Sequence, residues 1–109
     1  MARLPDTENE RSKVTRVLRG IGNSKRLRIL NELADGRERS VSELETIIAN
    51  LSQSAISQHL SRLRRANIVR TWREAQTIYY SIEDTDVLRI LRLLSHIYGH
   101  DPVMRPRRH

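Results

Sequence analysis

SQSAISQHLSRLRRANIVRTWREAQTIYY, residues 52–80, changes character twice within its length. The first part reads as a helix. Ser52 is a good N-cap, and Ile56, Leu60 and Leu63 form an apolar stripe with a period near 3.6 residues. Ser54, Gln58, Ser61, Arg62 and Arg65 fall on the opposite face. That face holds hydroxyls, amides and guanidinium groups but no carboxylate, whereas an ordinary solvated helix face mixes both signs of charge. These are the groups that hydrogen-bond base edges and phosphates, and a carboxylate among them would be repelled by phosphate.

The second part reads as a β-ribbon. Val69 to Arg73 and Gln76 to Ile82 are rich in β-branched and aromatic residues, and Glu74-Ala75 is the expected two-residue turn, although it lacks the Gly or Asn that tight hairpins favour. Arg62, Arg64, Arg65, Arg70 and Arg73 against Glu74 alone make this segment the electropositive centre of the chain. A polar helix, a basic junction and a ribbon form the layout of a DNA-reading winged helix.

Whole-chain composition agrees. At 109 residues the chain is expected to form one domain, with a small core and little room for a deep catalytic cleft. With one Trp, three Tyr and no Phe, the core must be built from Leu, Ile and Val. A net charge of +7 and a pI near 11.0 favour a polyanionic partner. All but two of the 20 basic residues are Arg, which suits bidentate phosphate and guanine contacts and equally fits a GC-rich genome. The absence of Cys excludes disulfides, thiolate metal sites and thiol redox sensing within the chain. No apolar run approaches the roughly 20 residues of a membrane span, and no signal-peptide core is present. The expected compartment is the cytoplasm, in association with the nucleoid.

Working outward, Val14, Val17, Leu18 and Ile21 mark a first amphipathic helix. A second runs from Lys25 to about Ala34 behind Asn23-Ser24, with Gly36 where its C-terminus wants a left-handed residue. A third begins near Val41, where Ser40/Glu43 and Ser42/Glu45 both fit a capping box, and Asn50 closes it. This helix, a brief turn and the helix after Ser52 make a helix-turn-helix. A last helix opens at Asp84 to Asp86 and carries Val87, Leu88, Ile90, Leu91, Leu93, Leu94, Ile97 and Tyr98. These cover more of its circumference than the stripe of roughly 100° that one core requires. A symmetric copy is the expected cover, so Val14, Val17, Leu18, Val87, Leu91, Leu94, Ile97 and Tyr98 are the expected homodimer interface. The expected organisation is a flexible N-terminus over residues 1–8, a DNA-binding and dimerisation domain over 9–100, and a flexible basic tail over 101–109.

The succession of NSKRLRIL, SELE, LSQSAISQHLSRLR and TWREAQTIYYS with an apolar final helix resembles the ArsR/SmtB family of bacterial transcriptional repressors, from about residue 14 to 99. The resemblance implies a homodimeric winged helix that binds an inverted-repeat operator and blocks a promoter. Three features depart from the family pattern. The turn in IIANLSQ is one residue longer, Ser24 stands where Pro is frequent, and Trp72 stands in the ribbon where a basic residue is common. The metal sites of the family do not carry over. The stretch ERSVSELE has no cysteine, and Asp86 is followed by Leu88 where a ligating histidine belongs. His96 and His100 alone supply too few ligands. No metal and no cofactor is expected.

Within the reading unit, Ser52, Gln53, Ser54, Ser57 and Gln58 occupy the helix start, where a helix-turn-helix places its base contacts. Gln53 and Gln58 are the expected readers, since an amide pairs bidentately with adenine. Arg62 and Arg65 are expected to clamp phosphates, and Arg73 and Gln76 to reach DNA from the ribbon. Trp72 is open between packing under the ribbon and stacking outside it. The expected partner is an operator duplex, with no inducer assigned. The competing reading is a winged-helix module whose basic face meets an acidic protein. An enzyme is disfavoured because no catalytic grouping and no Gly-rich phosphate loop is present.

Overall fold

The computed structural model describes residues 12–104. The expected flexible segment 1–8 lies outside the described residues, as does 105–109 of the tail. Among the described residues the chain forms five α-helices and a three-stranded antiparallel sheet of order β1-β3-β2. The helices are α1 (Lys13–Ile21), α2 (Ser24–Leu33), α3 (Val41–Ile47), α4 (Gln53–Arg65) and α5 (Thr85–Ile97). The strands are β1 (Arg39–Ser40), β2 (Val69–Glu74) and β3 (Thr77–Ile82).

Each helix starts where a short polar side chain satisfies free backbone N–H groups. Ser12 caps α1, and Asn23 Oδ1 accepts from the N–H groups of Lys25 and Arg26 at 3.0 Å. Of the two candidate capping boxes, Ser40/Glu43 forms, with both reciprocal bonds present. Ser52 Oγ accepts from Ala55 N at 3.1 Å, and Asp84 caps α5. The turn between α3 and α4 uses the left-handed conformation at Asn50 (φ 66°) and buries Ile48 and Leu51 on either side of it. Arg28 Nη2 donates to Ala49 O at 3.0 Å, which pins this turn to α2.

Helix α4 ends in a second left-handed Asn. Asn67 (φ 61°) donates to Arg64 O while Ile68 N donates to Leu63 O at 3.0 Å, the bond pair of a Schellman motif. That closure turns the chain directly into β2 and buries Ile68 beside Leu63. Gly20 of α1 is seated against this junction, and a β-carbon there would overlap Ile68 Cδ1. The core is aliphatic. Ile29, Leu30, Leu33, Leu44, Ile56, Leu60, Leu63, Val87 and Leu91 are fully enclosed, and among the described residues no aromatic side chain is buried with them.

The expected ribbon forms as β2 and β3, and a third strand, β1, joins it by pairing Arg39 with Tyr80 and Ser40 with Tyr79. Two expectations are corrected. The turn is Ala75-Gln76, not Glu74-Ala75, because pairing is set at the root, where Val69 faces Ile82 and Glu83 N donates to Ile68 O. Glu74 consequently pairs with Thr77, and Ala75 takes a positive φ of 56° at the first central position, as the primed turns of two-residue hairpins require. The tail does not come free at 101. Pro102–Met104 forms a 3-10 turn on α2, where Asn31 Nδ2 donates to Val103 O at 2.9 Å and the flexible thioether of Met104 is buried.

Candidate nucleic-acid interface

Burial of Ile56, Leu60 and Leu63 orients α4 and leaves Ser54, Gln58, Ser61, Arg62 and Arg65 exposed on its outer face. Gln53 is the first helical residue and is exposed, while the capping is done by Ser52. The Ser52 oxygen is therefore engaged, and its O–H is the group left to offer a partner. Ser57 is half-buried on the flank. No acidic residue lies within α4, and its last turn carries Arg62, Arg64 and Arg65.

The wing carries two more of the expected contact residues. Arg73 and Gln76 are exposed near its tip, Gln76 within the turn itself. Strand alternation puts Val69, Thr71, Arg73, Ile78, Tyr80 and Ile82 on one face, with Val69 buried at the root. Trp72 lies on the other face and stacks on its cross-strand partner Tyr79, with ring centroids 4.9 Å apart and planes inclined by 20°. The indole thus stacks outside the ribbon. Arg70, on the same face, donates to Ser81 Oγ.

On the α2 flank of α4, the Arg26 guanidinium meets the His59 imidazole at 3.4 Å and also donates to Gly20 O and Arg19 O. Burial, then the Arg26, Lys25 and Arg62 charges, hold His59 below the usual imidazole range. Burial, then Arg62, likewise lowers Arg26. Positive charge here is crowded, and no carboxylate among the described residues pairs with it. Sequence reading missed Arg26 and the α1 arginines beside it, although their charge was visible. Only the fold brings them to α4.

The expected dimer residues divide. Val17, Val87 and Leu91 belong to the protomer's own core, because α1 and α5 pack inward through them, and this corrects their assignment to an interface. Leu94 is half-buried. Val14 (67% exposed), Leu18 (59%), Ile97 (55%) and Tyr98 (56%) face outward, together with Leu93 (57%), which was not among the expected interface residues. Lys13 bridges Asp84 and Asp86 at 3.1 Å at the edge of this surface, tying α1 to the start of α5. Burial raises the Asp84 carboxyl, but the Lys13 hydrogen bond outweighs it with the help of backbone donors, and the net direction is down. Among the described residues no cluster of three His, Cys, Asp or Glu could hold a metal ion, and no helix is long and apolar enough to cross a membrane.

A winged helix-turn-helix whose second helix-turn-helix helix has a carboxylate-free outer face has the layout of a DNA-binding regulator of transcription. Comparison with known proteins agrees. Residues 23–71 match the family model described as "Bacterial regulatory protein, arsR family". Nodulation protein NolR of Rhizobium meliloti is 47% identical over 102 residues, 93% of this chain and 82% of that one. Transcriptional activator HlyU of Vibrio cholerae is 42% identical over 95 residues, 87% of this chain and 86% of that one. The crystal structure of NolR from Sinorhizobium fredii superposes with a TM-score of 0.72 at 46% identity, covering 91% of this chain and 98% of that one. The chain belongs to the arsR family of bacterial regulatory proteins.

Proposed function

We propose that the protein is a homodimeric repressor that binds an inverted-repeat operator, with α4 in the major groove and the wing alongside. The carboxylate-free outer face of α4 carries the reading, with Arg73 and Gln76 exposed on the wing. Gln53 and Gln58 read bases, with Ser52, Ser54 and Ser57 beside them, and Arg62, Arg65 and Arg73 hold phosphates. One domain serves both functions. Its exposed apolar residues Val14, Leu18, Leu93, Ile97 and Tyr98 meet the same surface of a second copy, which places two reading helices on two half-sites. The site of action is the cytoplasm, on the nucleoid.

Capture of genomic fragments by the purified protein, followed by sequencing, yields the operator. A gel shift competed with random duplex then measures specificity. Enrichment of one palindromic site upstream of a promoter, and a reporter that rises when the protein is removed, are the expected results. A reporter that falls instead makes the protein an activator, as the name of the Vibrio relative says of that protein. Absence of any enriched fragment transfers the basic face to an acidic protein partner.

A further inference from the structure

Beside the C-terminal half of α4, where α1 and α2 meet it, lies a groove of about 190 Å³ lined by Arg16, Arg19, Gly20, Arg26, Arg62 and Ala66. Four of the six lining residues carry guanidinium groups and none is acidic. The ion pairs among the described residues engage Lys13, Arg37, Arg39 and Arg89, so none of the four groove arginines has a carboxylate partner there. Arg26 is held by Gly20 O and Arg19 O at 2.8 and 3.0 Å, which fixes its position between the helices. Arg16 Nε is enclosed and has no hydrogen-bond partner among the described residues.

Buried N–H groups in folded proteins nearly always find an acceptor, and converging like charges repel unless a counter-charge completes them. A phosphate in the groove would supply the counter-charge, and a rotation of the Arg16 side chain would bring its Nε–H to a phosphate oxygen. Position suggests which phosphate. A helix seated in a major groove about 12 Å wide has a sugar-phosphate strand on each flank. The arginine groove lies on the flank of α4 that Arg62 and His59 turn toward α2.

We propose that Arg16, Arg19, Arg26 and Arg62 form a phosphate site occupied by one DNA backbone phosphate on the α2 flank of the reading helix. This rests on the DNA-binding reading above, and it extends the contact surface from the helix-turn-helix and wing to α1. The site fixes how deeply α4 sits in the groove and carries no sequence information of its own.

The test uses the full chain, the Arg16→Gln/Arg19→Gln variant and two labelled 30-base-pair duplexes, one captured from the genome and one random. Arg26 is left intact because it staples α1 to α2. Anisotropy against salt concentration should show the variant weakened on both duplexes. Its log–log slope should be shallower by about 0.9, the value for one phosphate no longer neutralised, with the melting curve unchanged. In wild-type protein, the Arg16 Nε–H resonance should shift on adding duplex and stay put with millimolar inorganic phosphate. Unchanged affinity and slope in the variant, with a still Arg16 signal, overturn the inference and leave the DNA-binding reading standing. A wild type that binds neither duplex overturns both. A saturating Arg16 shift with inorganic phosphate in duplex-free protein overturns the proposed occupant and makes the groove a free-oxyanion pocket.

Discussion

Arg26 Nη1 lies 3.4 Å from Nδ1 of His59, a contact across 33 residues that joins α2 to the reading helix. A guanidinium can only donate, so this hydrogen bond calls for the Nδ1 lone pair, which the neutral ring protonated on Nε2 offers. Burial and the surrounding Arg26, Lys25 and Arg62 charges lower the folded pKa of this imidazole. In the window between that value and the usual ~6.5, the unfolded chain binds more protons than the folded one. Stability from His59 is therefore present above pH ~6.5 and is lost as pH falls through the window. Urea midpoints about one pH unit either side of that value should differ more for wild type than for His59→Gln, whose amide oxygen still accepts from Arg26. Equal pH dependence in both removes His59 as the titrating group.

Base reading and phosphate holding separate by mutation. Gln53→Ala and Gln58→Ala should each cost about 1–3 kcal/mol on the operator and almost nothing on random duplex. Arg62→Ala, Arg65→Ala and Arg73→Ala should weaken both duplexes together and flatten the salt dependence by about one counterion each. Affinity against salt for each variant on both duplexes is the measurement. Equal losses on both duplexes for the Gln variants would reassign the readers to Ser54 and Ser57.

Leu18 and Ile97 are exposed in the protomer, so a charge there leaves the fold intact. Leu18→Glu/Ile97→Glu should sediment as a folded monomer at micromolar concentration and lose operator binding. Leu91→Glu, by contrast, buries an unpaired carboxylate in the core and should unfold the chain, at a cost above about 4 kcal/mol. A double variant that stays dimeric places the interface elsewhere.

Ala75 holds a left-handed conformation (φ 56°) that costs an L-residue about 1–2 kcal/mol. Ala75→Gly should relieve part of this and raise the melting midpoint by several degrees, on the order of 4–8 °C per kcal/mol for a domain of this size. No rise in the calorimetric midpoint would mean that the turn bears no strain.

Gly20→Ala should overpack the α1 seat on Ile68 and cost about 1–3 kcal/mol, less the roughly 1 kcal/mol of helix propensity that Ala regains. Ile68→Val alone removes Cδ1 and should cost about 0.5–1.5 kcal/mol. Combined, the two should cost less than their sum, because the shorter valine side chain vacates the space that the new alanine methyl enters. Chemical denaturation of the wild type, the two single variants and the double variant gives the coupling, and strict additivity would refute the close approach of α1 to this junction.

What was legible in the sequence follows how local each determinant is. Ser52, Asn23 and the Ser40/Glu43 box act on N–H groups two or three residues away, so helix starts were readable directly. The wing turn was misplaced by one residue because its register is set at the far end, by Val69 against Ile82. A helical wheel shows that α5 has excess apolar surface. It cannot say that Val87 and Leu91 face the protomer's own core while Leu93 faces out. The outer face of α4 was legible from its missing carboxylates. The arginine groove joins residues up to 50 positions apart, such as Arg16 and Ala66, and no local pattern announces it.

The seat of Gly20 on Ile68 has a geometric consequence for the proposed dimer. The helix that carries Val14 and Leu18 touches the junction from which both the reading helix and the wing depart. In the proposed dimer, subunit contact and DNA contact therefore meet at one packed junction. A dimer built from two such protomers works as a caliper whose jaw spacing is a property of the protein. It measures a length along the duplex as much as it reads letters. Inserting one base pair between half-sites rotates the second site by about a tenth of a turn, and a caliper packed in this way is expected to bind such a site more weakly.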